Sequence, residues 1–404
     1  MTITTTRKKV LFFVPSFPVL TETFIEVEIR KLVERNNLDV WILALDGDGE
    51  KLPDSLKTKV IYKRLGLITA LLGILFGVFR LDLVLDASKL IKPKKTTLAK
   101  SIFLLIKYLG YTRIISKVKP DLLVSHFLSE PSTLCMFASR VLSVPYGISA
   151  HAKDVTVESE YVPQKMATAN FVLVCNKNAQ KSLIEQSGNV GINKMILQYH
   201  GVEVKKNYGQ VRRRVEKSEK PLVVSVGRLI EKKGHTYLIE ASKILKERGV
   251  VHLINIIGPG PMYDELNEKI AELDLVGWVE ILGNGTGLSH KETLDYLGKA
   301  DICIFSGIKT AQGDEDGIPN VLFEYASMNV PIVTTDTGST TDFIENEKTG
   351  LVIPQKDSYL LADAIEKLIF NKELCSELTK NAFQKVNEEF NIDKNIVKLE
   401  KILL

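Results

Sequence analysis

Short β-branched runs alternate with helix-periodic segments along almost the whole chain, and the alternation runs through twice. KKVLFFVP (8–15) reads as a buried strand, ETFIEVEIRKLVER (22–35) as an amphipathic helix, and LDVWILAL (38–45) as the next strand. PDLLVSHF (120–127), a helix over 131–142, PYGISAH (145–151), NFVLVCN (170–176), a helix over 177–187 and KMILQYHGV (194–202) complete the first pass. The pattern restarts with PLVVSVGR (221–228). The strands VHLINIIGPG (251–260), VEILGN (279–284), ADICIFSG (300–307), PIVTTD (331–336) and TGLVIP (349–354) follow. Helices are predicted over 233–248, 261–273, 289–298, 319–328 and 340–345, then in a tail over 357–404. Such alternation implies parallel βαβ units and an α/β fold. Two Rossmann-like, doubly wound domains are expected. If their sheets face each other, the strand carboxyl ends line one interdomain cleft, where ligands of open α/β sheets bind.

The stretch 205–220, KKNYGQVRRRVEKSEK, has seven basic residues and no apolar face. It reads as a linker between a first domain, 1–204, and a second, 221–385. The last helix, 386–404, is expected to pack back on the first domain. An insert over about 50–118 interrupts that domain. It opens with LGLITALLGILFGVF (65–79), fifteen uncharged residues, short of the roughly 20 needed to span a bilayer. Residues 87–119 then carry nine Lys/Arg, among them Lys92, Lys94 and Lys95, and no Asp or Glu. Two readings stand: a solvated helical face, or contact with an anionic membrane surface.

A net charge of +4 gives no argument for nucleic acid as a partner. Cys135, Cys175, Cys303 and Cys375 lie far apart with no CxxC or Cys/His ligand spacing, which argues for a reducing compartment and against structural zinc. MTITTTRKKVLFFV lacks the pattern of a signal peptide, so a cytoplasmic location is expected.

Three stretches carry candidate chemistry. In VSVGRLIEKKGH a buried strand ends at Gly227, Arg228 and Lys233 follow, and a helix starts near Gly234. Free amides and the helix dipole at such a step favour anions, and two cations strengthen the seat for phosphate. GDEDGIPNVLFE (313–324) packs three acids before a helix start. It allows a metal site, a solvated loop, or a pocket for a hydroxyl-rich ligand. Three adjacent acids supply too few ligands for an oxygen-rich metal site. Pro319 suits a first helical turn, leaving amides near Asn320 to Leu322 facing outward. Glu324 could accept both hydrogens of a vicinal diol such as a ribose. His151 ends PYGISAH, and Asp154 can cap the helix after it. His126, His200 and His235 also lie beside strand ends; His252 and His290 do not suggest a role.

These stretches, with GPGP and ASMNVPIVTTDTGSTTDFIENEKTGLVIP, resemble family 4 of the retaining nucleotide-sugar glycosyltransferases, which have the GT-B fold. PSFPVLTETFIEVEI, KPDLLVSHF and SAHAKDV resemble its bacterial subgroup that builds colanic acid and other exopolysaccharides. The resemblance implies a retaining hexosyltransferase that uses a UDP- or GDP-linked sugar and requires no metal. Its acceptor would be lipid-linked or a growing polysaccharide, reached in the cytoplasm or at the inner face of the cell membrane. Arg228 and Lys233 match the cationic pair on the donor diphosphate, with Asn320 and Val321 at the helix start beside it. Glu324 matches the second glutamate of the family's E-x7-E motif, which holds the ribose. Asp316 stands at the first position, where the family usually has Glu. With Gly317, Ile318 and His151 it is assigned to the donor sugar, and Asp154 to orienting the His151 segment. Ser16, Thr21, Glu22 and Thr23 correspond to the loop near acceptor and phosphate, without the double glycine common there. A nucleotide-sugar epimerase or hydrolase on this fold, or an idle partner in a synthesis complex, are the alternatives. A dehydrogenase is disfavoured, since no G-x-G-x-x-G follows a strand.

Overall fold

The computed structural model describes residues 7–19, 23–47, 54–63, 66–91, 98–151, 160–203 and 220–404, with Leu52 and Val155. Thr21, Glu22, Asp154, Lys92, Lys94, Lys95 and all of the 205–220 linker except Lys220 lie outside the described residues. The chain divides into two compact units. Unit 1 is Met1–Gly201 with Ile392–Leu404, and unit 2 is Val202–Asn391.

Unit 1 holds seven parallel strands: β1 (Lys9–Ser16), β2 (Asp39–Asp46), β3 (Val60–Tyr62), β4 (Leu122–His126), β5 (Tyr146–Ala150), β6 (Phe171–Val174) and β7 (Met195–Leu197). Their spatial order is β3-β2-β1-β4-β5-β6-β7. Val10 to Val14 are all buried, as are all five residues of β4 and of β5. Central parallel strands covered by helices on both faces require such continuous apolar runs. The helix Thr23–Arg35 buries Ile25, Glu28, Ile29 and Leu32 on one face. The C-terminal helix Ile392–Leu403 shares that helix's core through Ile396, Leu399 and Leu403. Arg35 pairs with Glu400 at 2.8 Å beside it.

Unit 2 repeats the winding with six parallel strands: β8 (Leu222–Val226), β9 (Leu253–Ile257), β10 (Val279–Leu282), β11 (Ile302–Phe305), β12 (Ile332–Thr335) and β13 (Leu351–Ile353). The order is β10-β9-β8-β11-β12-β13. In both units the strand order reverses beside the first strand, so each sheet has a topological switch point, β1/β4 and β8/β11. Ligands of doubly wound sheets bind at the carboxyl ends of strands there. The predicted α/β class and double winding are present. The edge strand β3 falls inside the 50–118 stretch, where three residues show no periodicity. The helix predicted over 319–328 is Asn320–Ser327, with Pro319 as its extended N-cap residue.

Candidate active site

In unit 2, the segment after β8 is stitched to the loops after β9 and β11. The Gly227 and Leu229 amides donate to Ile257 O and Pro259 O, and the Ile308 amide donates to Lys232 O. Gly234 closes the segment with φ +64°. A Cβ there would lie 1.9 Å from Ser306 O, so only glycine lets the chain turn tightly into the helix His235–Glu247. The neighbouring loop is fixed as closely. Gly338, at φ +56°, leaves no room for a Cβ, which would meet Asp316 O at 1.8 Å. The Gly338 amide donates to the Glu315 carboxylate at 2.9 Å, and the Ser339 amide donates to Gly317 O at 3.0 Å.

This scaffold brings Lys233 and Asp316 together. Lys233 Nζ donates to Asp316 Oδ2 at 2.6 Å; Lys232 Nζ lies 3.3 Å from Asp316 Oδ1 and 3.1 Å from Asp314 Oδ1. The acidic loop is therefore not freely solvated: Lys232 and Lys233 hold Asp314 and Asp316, and Lys309 lies 3.4 Å from Glu315. Lys232 carries no motif of its own. Its signal in the sequence is only the doubled lysine of EKKG set against the doubled aspartate of DED. Arg228, by contrast, is exposed, and its guanidinium has no ion pair among the described residues.

The helix Asn320–Ser327 follows β11 across the switch point. Tyr325, fully buried, ties it to both central strands: the Val226 amide donates to its hydroxyl at 2.8 Å, and the hydroxyl donates to Ile304 O. Asn320 is exposed and Val321, Gly317 and Ile318 are half-buried. First-turn amides such as those of Asn320 and Val321 have no intrahelical acceptor and carry the positive end of the dipole. One turn on, Glu324 is half-buried with no hydrogen-bond partner for its carboxylate among the described residues. Burial pushes its carboxyl above the usual range, and the charge of His290 opposes this.

A carboxyl raised in the fold is more readily protonated there than in the unfolded chain. Its contribution to stability is present at low pH and is lost as pH rises through the raised pKa. Glu324→Gln should therefore melt higher than the parent at neutral pH without ligand, the gain fading by about pH 4. Each kcal/mol regained moves the midpoint by about 2–4 °C. A lower melting point at neutral pH would show that the carboxylate is already satisfied.

In unit 1 the ends of β4, β5 and β7 converge on a row of imidazoles. His126 Nδ1 lies 3.3 Å from His151 Nε2, His151 Nδ1 lies 3.1 Å from His200 Nε2, and His200 Nδ1 lies 2.7 Å from Glu28 Oε1. Phe24 and Phe127 pack against the rings. Burial works against charge on His200, but the Glu28 carboxylate, with Cys175 beside it, raises its pKa to about 10. Burial lowers His126 to about 4 and pushes His151 well down. A charged His200 donates at both nitrogens. His151 must then accept at Nδ1 and donate at Nε2 to His126, whose own Nε2 is buried without a partner among the described residues.

His151, Cys175 and His200 each place one ligand atom within 4.8 Å of the others. A cation would have to displace the proton between the two histidines, since a charged imidazole has no lone pair to give. Both His151 nitrogens are thus engaged, and the ring is 5% exposed. Glu28 and Cys175 carry no sequence signal for this row, because only the fold sets a helix residue and a strand end beside β5. Ser16 closes β1 half-buried, and Thr23 opens the next helix.

Residues 209–385 match the model of the glycosyl transferases group 1 family. The amylovoran biosynthesis glycosyltransferase AmsK of Erwinia amylovora is 27% identical, over 95% of this chain and 96% of that protein. A GDP-mannose-dependent alpha-(1-6)-phosphatidylinositol monomannoside mannosyltransferase of Mycobacterium tuberculosis is 24% identical, over 48% of this chain and 50% of its own. Among solved structures, Anabaena Alr3699/HepE in complex with UDP superposes with a TM-score of 0.70 at 16% identity, covering 98% of this chain and 99% of that one. The two doubly wound units are those of the GT-B fold.

Proposed function

We propose, on the premise that residues 209–385 are a glycosyl transferases group 1 domain, that this chain moves a sugar from a nucleotide-sugar donor to a glycan acceptor. The observation that carries the proposal is the exposed Arg228 guanidinium after β8, without an ion pair among the described residues and next to the strand whose following helix starts at Asn320. Negative charge grows on the departing nucleoside diphosphate, and preorganised cations and first-turn amides stabilise it. Arg228, Lys233 and the Asn320 and Val321 amides take that role, and Glu324 accepts from the ribose hydroxyls. Diphosphate and Asp316 compete for the Lys233 ammonium. Donor binding would therefore release Asp316, with Gly317 and Ile318, towards the donor sugar. The acceptor hydroxyl attacks the anomeric carbon from the side the diphosphate leaves, passing its proton to a departing phosphate oxygen, which retains configuration.

The donor would be UDP- or GDP-linked, as the UDP-bound structural relative and the GDP-mannose-dependent enzyme suggest. The acceptor would be a lipid-linked or growing polysaccharide for export to the cell surface, in keeping with the amylovoran relative. The work would take place at the cytoplasmic face of the membrane, and the acceptor role would fall to the segment of Ser16, Thr21, Glu22 and Thr23. No helix among the described residues is long and apolar enough to cross a membrane alone.

A thermal-shift panel of nucleoside diphosphates tests the reading. UDP or GDP at a hundred times its dissociation constant should add about 2.7 kcal/mol of stability. The matching nucleotide-sugar should release diphosphate only with acceptor present. A panel with no shift would defeat the proposal, and free sugar formed from donor alone would replace transfer with hydrolysis or epimerisation.

A further inference from the structure

The helix Leu67–Val78 exposes what a water-soluble helix buries. Leu67, Ile68, Leu71, Leu75 and Val78 are 55–77% accessible, and Phe79, just beyond, is 79% accessible. Its buried positions are Gly73 and Gly77. A Cβ at Gly73 would lie 2.6 Å from the Gly110 nitrogen, and one at Gly77 would lie 2.9 Å from the Leu109 side chain. The helix thus packs through its glycines on the helix Leu98–Val118, the arrangement helices use where lipid surrounds them. The apolar face continues past a bend of 107° into the helix Leu81–Leu90, where Leu81 and Leu85 are 56% and 54% accessible. Exposed apolar surface on this scale marks an interaction site.

Charge and length select the partner. Residues 87–119 carry nine Lys/Arg and no acid; Lys89 and Lys100 are exposed, while Lys92, Lys94 and Lys95 lie outside the described residues. At the bend, the Arg80 guanidinium sits 4.1 Å over the Phe76 ring and is exposed, the posture of a cation reaching for headgroups. A second copy of the chain would bring this cationic run against itself, whereas anionic lipid complements it. Twelve residues of helix reach about 18 Å, against about 30 Å of hydrocarbon, so the pair lies in the interface rather than across it.

We propose that these two helices dock unit 1 on an anionic lipid bilayer, their leucines, isoleucines and phenylalanine entering one leaflet while the exposed cations beside them, Arg80 and Lys100 among the described residues, face lipid phosphates. The proposal rests on the transfer reading only for its purpose, which is to hold this unit where a lipid-linked acceptor lies. The full chain should float with phosphatidylcholine–phosphatidylglycerol vesicles. It should stay partly bound in high salt, because screening removes the charge attraction and leaves the apolar share. Leu71→Glu with Leu75→Glu should lower the partition by about tenfold or more, with the melting curve unchanged because both side chains face outward. Phe79→Ser should give a smaller loss. Binding that these variants leave intact, or that salt removes entirely, overturns insertion. A lipid-free dimer that the double variant dissolves, with no vesicle capture, assigns the face to a second copy instead. Nucleotide binding on the same samples keeps the two readings apart. Capture without it defeats transfer and upholds docking; nucleotide binding without capture does the reverse.

Discussion

Arg228→Ala should lower kcat/KM for sugar transfer by about 10²–10³-fold, the effect of removing one preorganised donor from a developing oxyanion. The melting temperature should barely change, because this exposed guanidinium supports no ion pair among the described residues. Arg228→Lys should recover only part of the loss, since an ammonium cannot make the bidentate contact of a planar fork. Lys233→Ala should differ in kind. Its ammonium is the closer partner of Asp316, at 2.6 Å, so its removal leaves that carboxylate to Lys232 and loosens the loop as well as the phosphate seat. Transfer should fall and the unliganded protein should melt lower. Steady-state kinetics with melting curves on the three variants check this. Wild-type turnover by Arg228→Ala would end the diphosphate-seat assignment.

The winding of both sheets is legible in the sequence because its signal is local. Runs such as VLFFV and LVVSV cannot be solvent-facing strands, and each is followed by a helical period that forces a parallel crossover. Strand β3 is not legible, because three residues at a sheet edge carry no period. The same limit divides the candidate residues. Arg228 and Glu324 stand out by position, one at a strand end and one amid an apolar helix. The ion pairs of Asp316 depend on two loops 83 residues apart meeting, and nothing local encodes that. His126, His151 and His200 each mark a strand end, but their joining into one row depends on the adjacency of β4, β5, β6 and β7 in the sheet. Glu28 reads simply as one more acid on an amphipathic helix. Its burial follows from the turn of that helix, which sets it beside Ile25, Ile29 and Leu32.

Glu28 is where the second large effect is expected. Glu28 is buried and its partner His200 half-buried, so removing the carboxylate should approach the roughly 3–5 kcal/mol that breaking a buried pair costs. Glu28→Gln keeps shape and hydrogen bonding but removes the charge. His200 then meets burial with only Cys175 left to favour its charge, and its pKa falls from about 10. The pH dependence fixes the cause. A histidine whose pKa is raised in the fold contributes stability that is fully present below 6.5 and is lost as pH rises through about 10. The deficit of the variant should therefore be largest in mild acid and shrink steadily towards alkaline pH, whereas a packing defect would persist at every pH. The loss should also travel along the row. A neutral His200 that donates to Gln at Nδ1 must accept at Nε2, so His151 has to move its proton from Nε2 to Nδ1. Nitrogen-15 spectra of the histidine rings, read with denaturation across pH, check both parts. An unchanged His151 tautomer beside a pH-independent loss would mean that Glu28 acts through packing and that its charge is incidental.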